Sequence, residues 1–189
     1  MQVMNVDLHT HTLASDGALT PAALVARAAA AGVELLAITD HDTVAGLAQL
    51  QGPPPESLRI INGVEFSTCW RKVGIHVLGL NVNCDAPVLR AGLARQQAAR
   101  EERAIVIAAR LEKLGFDNVL AGARQLAGDA AIGRPHFAQH LVDAGHVKDH
   151  AGAFRRYLGR GKPGDVRNTW ATLNEVIEWI SSAGGQAVL

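Results

Sequence analysis

The sequence predicts an α/β fold built on a mostly parallel β-sheet. Four short, largely apolar runs have the length and the polar or Gly boundaries of buried strands. Helical segments separate the first three runs, and this alternation is typical of a parallel sheet covered by helices. The chain has 189 residues, 48% of them hydrophobic, which is enough for one real core and excludes a disordered chain.

The first half of the chain is expected to run strand, helix, strand, helix, strand, strand. A first helix is expected from Thr20 to Ala31. Thr20 is placed as its N-cap, Pro21 suits its first turn, and Gly32 stands just past its end. Thr43 to Leu50 predicts a second helix. The four strands are expected at Val3 to Leu8, Leu35 to Thr39, Ile60 to Val64 and Ile75 to Leu80.

The second half is mainly helical. A long helix is expected from Pro87 to Leu114, with Gly115 as its stop. The remaining helices are expected from Asn118 to Leu126, Pro135 to Ala144, Asp149 to Leu158 and Thr172 to Ala183. Gln186 to Leu189 has the character of a buried strand that begins at the end of the sequence, so we expect the sequence to be a piece of a longer protein.

Charge and composition exclude several classes of protein. The chain holds 18 basic and 18 acidic residues, so neither stable binding to duplex DNA nor binding to membranes by bulk attraction is expected. The net charge is −4 over residues 1–85 and +4 beyond, a division that suits cations in the first part and an anionic ligand in the second. A secretory signal pattern is not apparent, and a cytoplasmic location is expected. Cys69 and Cys84 are expected to be small buried hydrophobic residues.

Histidines and acids recur on four successive predicted strands. His9 and His11 stand two residues apart at a strand end, so both point to one face, which Asp7 shares. Asp16 follows in the next loop. The other strands contribute Asp40-His41-Asp42, Glu65 and His76. One histidine at a strand end is more often a structural residue than a ligand, but four such strands together indicate a metal centre.

The types of candidate ligand limit which metals the site is expected to bind and which reaction it is expected to catalyse. Histidine and carboxylate ligands without thiolate favour zinc, manganese or iron over calcium or a structural zinc. The number of candidate ligands implies more than one ion. Such a site lowers the pKa of bound water and neutralises charge on a phosphoryl or carbonyl group, which favours hydrolysis.

The motifs resemble those of the polymerase and histidinol phosphatase (PHP) family of metal-dependent phosphoesterases, and the resemblance covers nearly the whole chain. It rests on His9-Thr10-His11, Asp16, Thr39-Asp40-His41-Asp42, Gly63-Val64-Glu65 and Gly133-Arg134-Pro135-His136. It implies a distorted seven-stranded β/α barrel that binds two or three divalent ions, commonly manganese, iron or zinc. By the resemblance, His9 and His11 hold one ion, Glu65 bridges to a second held by His76 and His136, and Asp16 and His41 hold a third. Asp16, His41 and Glu65 are the implied catalytic residues.

The resemblance also divides the chain. Residues 1–85 are expected to form the first part of the barrel. Residues 86–168 are expected to form a mainly helical insertion that includes a returning ligand segment. In residues 169–189 the barrel is expected to resume and to be cut off. Family members carry a later His-Pro turn and an Asp-x-His element, and this sequence ends before either. The expected barrel is therefore incomplete at the C-terminus.

The substrate is expected to be a phosphate ester. Arg134 precedes Pro135-His136 and is placed to reach a phosphate, while Arg160 and Lys162 stand in a Gly-rich loop where cationic side chains can converge on an anion. Arg155 and Arg156 are expected on a solvated helix face instead. The helical insertion resembles the subgroup that removes the 3′-phosphate of nucleoside 3′,5′-bisphosphates and trims short RNA from its 5′ end.

Three alternatives stay open. The chain could be a histidinol-phosphatase-like enzyme, an amidohydrolase-like hydrolase of C–N bonds on a related barrel site, or an inactive PHP module associated with a polymerase. The basic loop around Arg160 favours phosphate over amide substrates.

Overall fold

Five strands form one sheet whose order follows the sequence. The strands are β1 Val6–Thr10, β2 Leu35–Ile38, β3 Arg59–Trp70, β4 Val73–Leu80 and β5 Gln186–Val188. The computed structural model describes residues 4–71, 73–166 and 170–189. Among these residues the sheet is open, with β1 and β5 at its two edges. The strand expected from Val3 begins outside the described residues and is seen from Val6 onward.

The prediction of a mostly parallel sheet is right for only half of the strand pairs. β1, β2 and β3 pair in parallel, whereas β3, β4 and β5 pair antiparallel. Only residues 71 and 72 separate β3 from β4, and a connection that short joins antiparallel strands because a parallel pair needs a crossover of a dozen or more residues. Arg71 has φ of 47°, as a tight hairpin turn requires.

The helices lie close to the predicted positions. They are α1 Pro21–Ala30, α2 Ala45–Ala48, α3 Pro87–Glu112, α4 Val119–Ala127, α5 Arg134–Asp143, α6 His150–Ala153 and α7 Leu173–Ser182. The Thr20 hydroxyl accepts a hydrogen bond from Ala23 N–H at 3.2 Å, which confirms the predicted N-cap of α1. Thr172 and Glu175 form a reciprocal capping box at the start of α7.

Two predicted helices differ from the observed ones. The helix expected from Thr43 to Leu50 is a single turn, α2. The helix expected from Asp149 to Leu158 divides into α6 and a π-helical turn, Phe154–Leu158. Gly159 N–H donates to the Phe154 carbonyl at 2.7 Å, and a Cβ on Gly159 would lie only 2.6 Å from that oxygen. The wide turn therefore depends on a glycine at its end.

The described chain divides into two units, and the division falls inside α3. The first unit runs to Gln97 and resumes at Trp170, and the second unit is Ala98–Thr169. The first unit has two hydrophobic clusters. One includes Val64, Phe66, Val77, Leu89, Val176 and Ile180, and the other includes Val25, Val33, Leu36, Ile38 and Leu58. The second unit has its own core, which includes Ile107, Leu111, Val119, Phe137, Leu141 and Leu158. The three-part division of the chain stays a prediction.

Two further sequence expectations concern the whole chain. In the described ranges, no helix combines the length and the apolar character needed to cross a membrane. Cys69 and Cys84 are free thiols, and both are half-buried rather than fully buried. Burial raises the pKa of the Cys84 thiol, and the nearby Asp85 carboxylate adds to that effect.

Candidate metal centre

The Glu65 carboxylate is surrounded by imidazole rings. Its side chain lies within β3 and is only 4% exposed. Oε1 lies 2.7 Å from Nδ1 of His76. Oε2 lies 2.8 Å from Nε2 of His9, 3.0 Å from Nε2 of His11 and 3.5 Å from Nδ1 of His41. Both oxygens of one buried acid therefore face histidines, and the strands that supply them lie on either side of β3.

Asp16 forms the second acidic point of this cluster. Its Oδ1 lies 3.4 Å from Nδ1 of His11, and its Oδ2 lies 3.6 Å from Nε2 of His41. The rings of His11 and His41 have centroids 4.6 Å apart, and those of His41 and His76 are 4.8 Å apart. The histidines thus form a continuous row in the order His9, His11, His41 and His76, and Asp16 contacts its two middle members.

Strand pairing places these side chains together. His9 lies in β1 and His11 follows it, so the two-residue spacing puts both rings on one face, as the sequence predicts. His41 follows β2 and pairs with Glu65 in a parallel bridge. On either side of this bridge, Asp42 N–H donates to the Glu65 carbonyl at 2.9 Å and Glu65 N–H donates to the Asp40 carbonyl at 3.1 Å. Glu65 does not end a strand as expected, because β3 continues to Trp70.

The loop from His11 to Asp16 closes on a glycine. Gly17 N–H donates to the Thr12 carbonyl at 2.9 Å. A Cβ on Gly17 would lie 2.3 Å from the His11 carbonyl oxygen, a distance that no side chain tolerates. Only glycine lets the backbone return so closely to the end of β1, and this return brings Asp16 to the His11 ring.

Asp40 holds this loop in place by accepting hydrogen bonds from it. Its carboxylate is buried and accepts three hydrogen bonds from the loop. Oδ1 accepts from Thr12 N–H at 2.7 Å and from the Ser15 hydroxyl at 2.6 Å, and Oδ2 accepts from the Thr12 hydroxyl at 2.8 Å. The buried Asp42 carboxylate accepts from Ser67 N–H and from Gln96 instead of facing the histidines. The two acids beside His41 are therefore supports of the cluster.

Charge and burial act in opposition on Glu65 and His11. Burial by itself would raise the pKa of Glu65, but hydrogen bonds with His11 and His76 and the nearby His41 and His9 hold that pKa far below its ordinary value. Burial by itself would lower the pKa of His11, but Glu65, followed by Asp16 and Asp40, raises it above the ordinary value. Glu65 is therefore an anion at neutral pH.

The arrangement fits a centre for divalent ions. Six side chains form three overlapping groups in which the potential ligand atoms lie within 4.8 Å of one another. The groups are His9, His11 and Glu65; His11, Asp16 and His41; and His41, Glu65 and His76. Imidazole nitrogen and carboxylate oxygen are ligands that zinc, manganese and iron accept. Asp7 belongs to none of these groups and instead accepts from His9 N–H at 3.5 Å.

The other predicted site residues lie in the second unit. In α5, His136 accepts a hydrogen bond from Gly133 N–H at 3.0 Å. Arg134 donates to the Leu158 carbonyl at 3.2 Å, and burial lowers its pKa while Asp165 opposes that shift.

The loop that carries Arg160 and Lys162 is exposed and is closed by a hydrogen bond from Gly161 N–H to Asp165 Oδ2 at 2.7 Å. Arg155 and Arg156 are exposed on the π-helical turn, as expected. The roles of His136, Arg134, Arg160 and Lys162 stay predictions.

Sequence reasoning missed the polar residues that support the cluster. Thr12 and Ser15 lie in the loop between His11 and Asp16, and Gln96 lies far along the chain in α3. Thr12 and Gln96 are fully buried. A weak signal for Thr12 and Ser15 was available, since small hydroxyl residues next to ligand candidates often hold a loop by local hydrogen bonds. For Gln96 the sequence carries no such signal.

Comparisons with known proteins identify a family and several relatives. The family model described as PHP domain matches residues 7–186. A 5′-3′ exoribonuclease of Haemophilus influenzae is 46% identical over 184 residues, which cover 97% of this chain and 67% of that protein. A 3′,5′-nucleoside bisphosphate phosphatase of Chromobacterium violaceum is 44% identical over 187 residues, which cover 98% of this chain and 66% of that protein.

A solved structure has the same fold. It is an amidohydrolase from Chromobacterium violaceum with bound sulfate and no metal, and it superposes with a TM-score of 0.86 at 43% identity. The match covers 98% of this chain and 66% of that one. The chain thus spans about two thirds of the length of each of these relatives.

Proposed function

The chain belongs to the PHP domain family, and we propose that it is a metal-dependent phosphoesterase acting on nucleotides. The resemblance inferred from its motifs is thereby confirmed. The proposed reaction removes the 3′-phosphate of nucleoside 3′,5′-bisphosphates, and the same site trims short RNA from its 5′ end. The observation that carries the proposal is the placement of four histidines around Glu65 and Asp16, which gives six potential ligands. Relatives named as a bisphosphate phosphatase and an exoribonuclease support it.

We assign two or three ions of manganese, iron or zinc to this centre. His9 and His11 would hold one ion, and Asp16 and His41 would hold another. Glu65 would give a ligand oxygen to the first ion and to one that His76 would also hold, with His136 as the further ligand implied by the resemblance. When bound, divalent ions would activate water at neutral pH and neutralise charge that develops on the phosphoryl oxygens.

The chain's own residues have separate tasks in this proposal. Glu65 stays ionised because its pKa is held low, so it keeps its negative charge between the ions at neutral pH. The Asp16 side chain is more open to solvent than Glu65, and its Oδ2 lies beside Nε2 of His41. With one oxygen on an ion, Asp16 would keep its other oxygen free to accept the proton of an attacking water, and His41 would stay a ligand of that ion. Arg134, Arg160 and Lys162 bind the phosphate of the substrate.

The proposal also covers the fold of the protein and its location in the cell. The five strands belong to a distorted seven-stranded barrel, and residues 86–168 are its helical insertion. A cytoplasmic location is supported by two free cysteines, which suit a reducing compartment. The substrate is a nucleotide or a short RNA, and no association with duplex DNA or membranes is expected, since the chain has no net charge.

Phosphate release from a panel of esters tests the reaction. The chain, loaded with Mn²⁺, is assayed with adenosine 3′,5′-bisphosphate, histidinol phosphate, a short 5′-phosphorylated RNA and an N-acyl amide. We expect phosphate from the bisphosphate and shortening of the RNA. Activity on histidinol phosphate with none on the bisphosphate would reject the assignment.

The same panel separates the alternatives. Cleavage of the amide alone identifies an amidohydrolase-like enzyme. A chain that binds no ions and cleaves no ester is the inactive polymerase-associated module. Elemental analysis of the purified chain gives the number of ions, and two or more per chain support the enzyme. The sulfate in the related structure favours phosphate esters, because sulfate and phosphate are tetrahedral anions of similar size.

A further inference from the structure

Gln96 is a fully buried polar side chain on α3 that joins three segments of the first unit. Its exposure is 0%. Its Nε2 donates to Oδ1 of Asp42 at 2.8 Å and to the Ser67 carbonyl at 2.6 Å. Its Oε1 accepts from Ala171 N–H at 3.2 Å. A buried amide with both ends satisfied is held in one orientation, because each alternative leaves a buried polar group without its partner.

Asp42, Ser67 and Gln96 form a closed set of hydrogen bonds, here named the clamp. Asp42 Oδ1 accepts from Ser67 N–H at 2.8 Å as well as from Gln96. Asp42 is fully buried with φ of 52°, a conformation that a residue other than glycine keeps only when its surroundings hold it. Gln97 adds a fourth bond, from its Nε2 to the Asp42 carbonyl at 2.9 Å.

Every part of the clamp borders one group of potential ligands. Asp42 follows His41 in the chain, and its N–H donates to the carbonyl of Glu65. Ser67 stands two residues after Glu65 on the same face of β3. Ser67 is also directly opposite His76 in the β3–β4 register. The clamp therefore fixes the backbone next to His41, Glu65 and His76, which together form one of the three groups.

We infer that Gln96 is a positioning residue for the group of potential ligands His41, Glu65 and His76. Its amide keeps the turn after β2 at a fixed distance from β3, and this distance sets how closely His41 approaches Glu65. Hydrogen-bonded groups behind a ligand typically change metal affinity about 10–100-fold when they are lost. The inference rests on the proposed metal centre and adds to it a residue that touches neither metal nor substrate.

The effect of losing Gln96 is confined to part of the centre. The loop that carries His11 and Asp16 is held by Asp40 through Thr12 and Ser15, which are separate from the clamp. We therefore expect the chain to bind an ion less tightly at His41, Glu65 and His76. Its affinity for the ion at His9 and His11 should stay the same.

Two substitutions of Gln96 and one control test this. Gln96→Met keeps the length of the side chain and removes the amide. Gln96→Glu keeps the acceptor for Ala171 and removes the donor to Asp42. The control is Thr68→Val, because Thr68 is 1% exposed and its hydroxyl donates to the Ala171 carbonyl at 2.7 Å from the opposite face of β3. It loosens the same segment at residue 171 and leaves the clamp intact.

Mn²⁺ binding to the metal-free proteins is measured by titration calorimetry at 25 °C, together with the Tm of each variant and circular dichroism as a check of folding. We expect all three substitutions to lower Tm. Only the Gln96 variants should lose affinity for one ion, by about 10-fold or more. Thr68→Val should bind every ion as the wild type does.

Three results would overturn the inference. The first is wild-type affinity for every ion in both Gln96 variants. The second is an equal loss of affinity in Thr68→Val, which would mean that general loosening explains the effect. The third is a wild-type chain that binds no Mn²⁺, and this result rejects the proposed metal centre as well, whereas the first two leave that centre standing.

Discussion

Nδ1 of His76 lies 2.7 Å from Oε1 of Glu65, across the antiparallel pair formed by β3 and β4. The other oxygen of the same carboxylate faces His9 and His11 at the end of β1. One buried acid thus connects the parallel and the antiparallel halves of the sheet. The centre depends on Glu65 more than on any single histidine, since the two oxygens of Glu65 face all four histidines of the cluster.

Glu65→Gln should remove bound metal. The substitution leaves the shape of the side chain but replaces one ligand oxygen with an NH₂ group that cannot bind a cation. We expect affinity for at least one ion to fall by about 100-fold or more, beyond the usual effect of a residue behind the ligands. Metal content after dialysis measures this. Glu101→Gln, at an exposed pair with Arg124, is the control, and equal metal content in both variants would contradict the prediction.

Gly17→Ala should unfold the loop between His11 and Asp16. The new Cβ would lie 2.3 Å from the His11 carbonyl oxygen, so the backbone must move, at a cost of about 1–3 kcal/mol in the free energy of unfolding. Urea denaturation measures the loss. The matched control is Gly74→Ala in β4, where nothing lies within 4 Å of an added Cβ. A loss as large in the control would show that the loop contact is not the cause.

Asp40→Asn should destabilise the first unit. The carboxylate accepts three hydrogen bonds, and an amide can present only one acceptor oxygen, so at least one buried donor loses its partner. The expected cost is about 1–3 kcal/mol, measured by urea denaturation. Asp85→Asn is the control, because the Asp85 side chain is exposed and, in the part of the chain that the structure describes, accepts from a surface arginine, Arg90. The prediction fails if the two variants are equally stable.

Divalent ions should stabilise the folded chain. An ion that binds only the folded state at a concentration 100 times its Kd adds about 2.7 kcal/mol to the free energy of unfolding. Thermal denaturation of the metal-free chain with and without Mn²⁺ measures the gain, and EDTA should reverse it. In Glu65→Gln the gain should be smaller. An unchanged Tm over a wide range of Mn²⁺ concentrations would exclude the proposed centre.

Ionisation of Glu175 should make the free energy of unfolding depend on pH in the acidic range. The Arg95 guanidinium, then the Thr172 N–H and hydroxyl, lower the pKa of Glu175 from 4.5 to about 2. The unfolded chain therefore binds a proton at higher pH than the folded chain does, so the contribution is complete above pH 4.5 and is lost as pH falls toward 2. The stability difference between wild type and Glu175→Gln, from urea titrations, should shrink between pH 6 and pH 3. In an Arg95→Met background most of that change should disappear, and a constant difference would contradict the prediction.

The site could be predicted from sequence where local geometry determines it. His9 and His11 share a face because the strand alternates, and His41 follows a strand that lies beside them. Asp40 and Asp42 stand next to a ligand candidate, but their carboxylates accept hydrogen bonds from neighbouring segments and support the cluster. Glu65 was found by its motif, but its place inside a long strand depends on pairing with β4, which the apolar pattern did not show.

Contacts between distant parts of the chain could not be predicted. Gln96 forms hydrogen bonds with Asp42, 54 residues away in the sequence, and with Ala171, 75 residues away. No pattern near Gln96 in the sequence indicates either partner. The reversal to antiparallel pairing follows from a two-residue hairpin, where the expectation of a mostly parallel sheet assumed longer connections. The π-helical turn Phe154–Leu158 likewise depends on the closing contact at Gly159, which a helical hydrophobic pattern does not reveal.

The discontinuous first unit has a consequence for folding during synthesis. Val176 and Ile180 of α7 are fully buried with Val64 and Phe66, yet the ribosome makes them more than a hundred residues later. Until they emerge, the nascent sheet presents an unsealed apolar face, the kind of surface on which folding intermediates aggregate. The second unit is contiguous, so its core can assemble first, and the histidine row gains its full support only when the last helix docks.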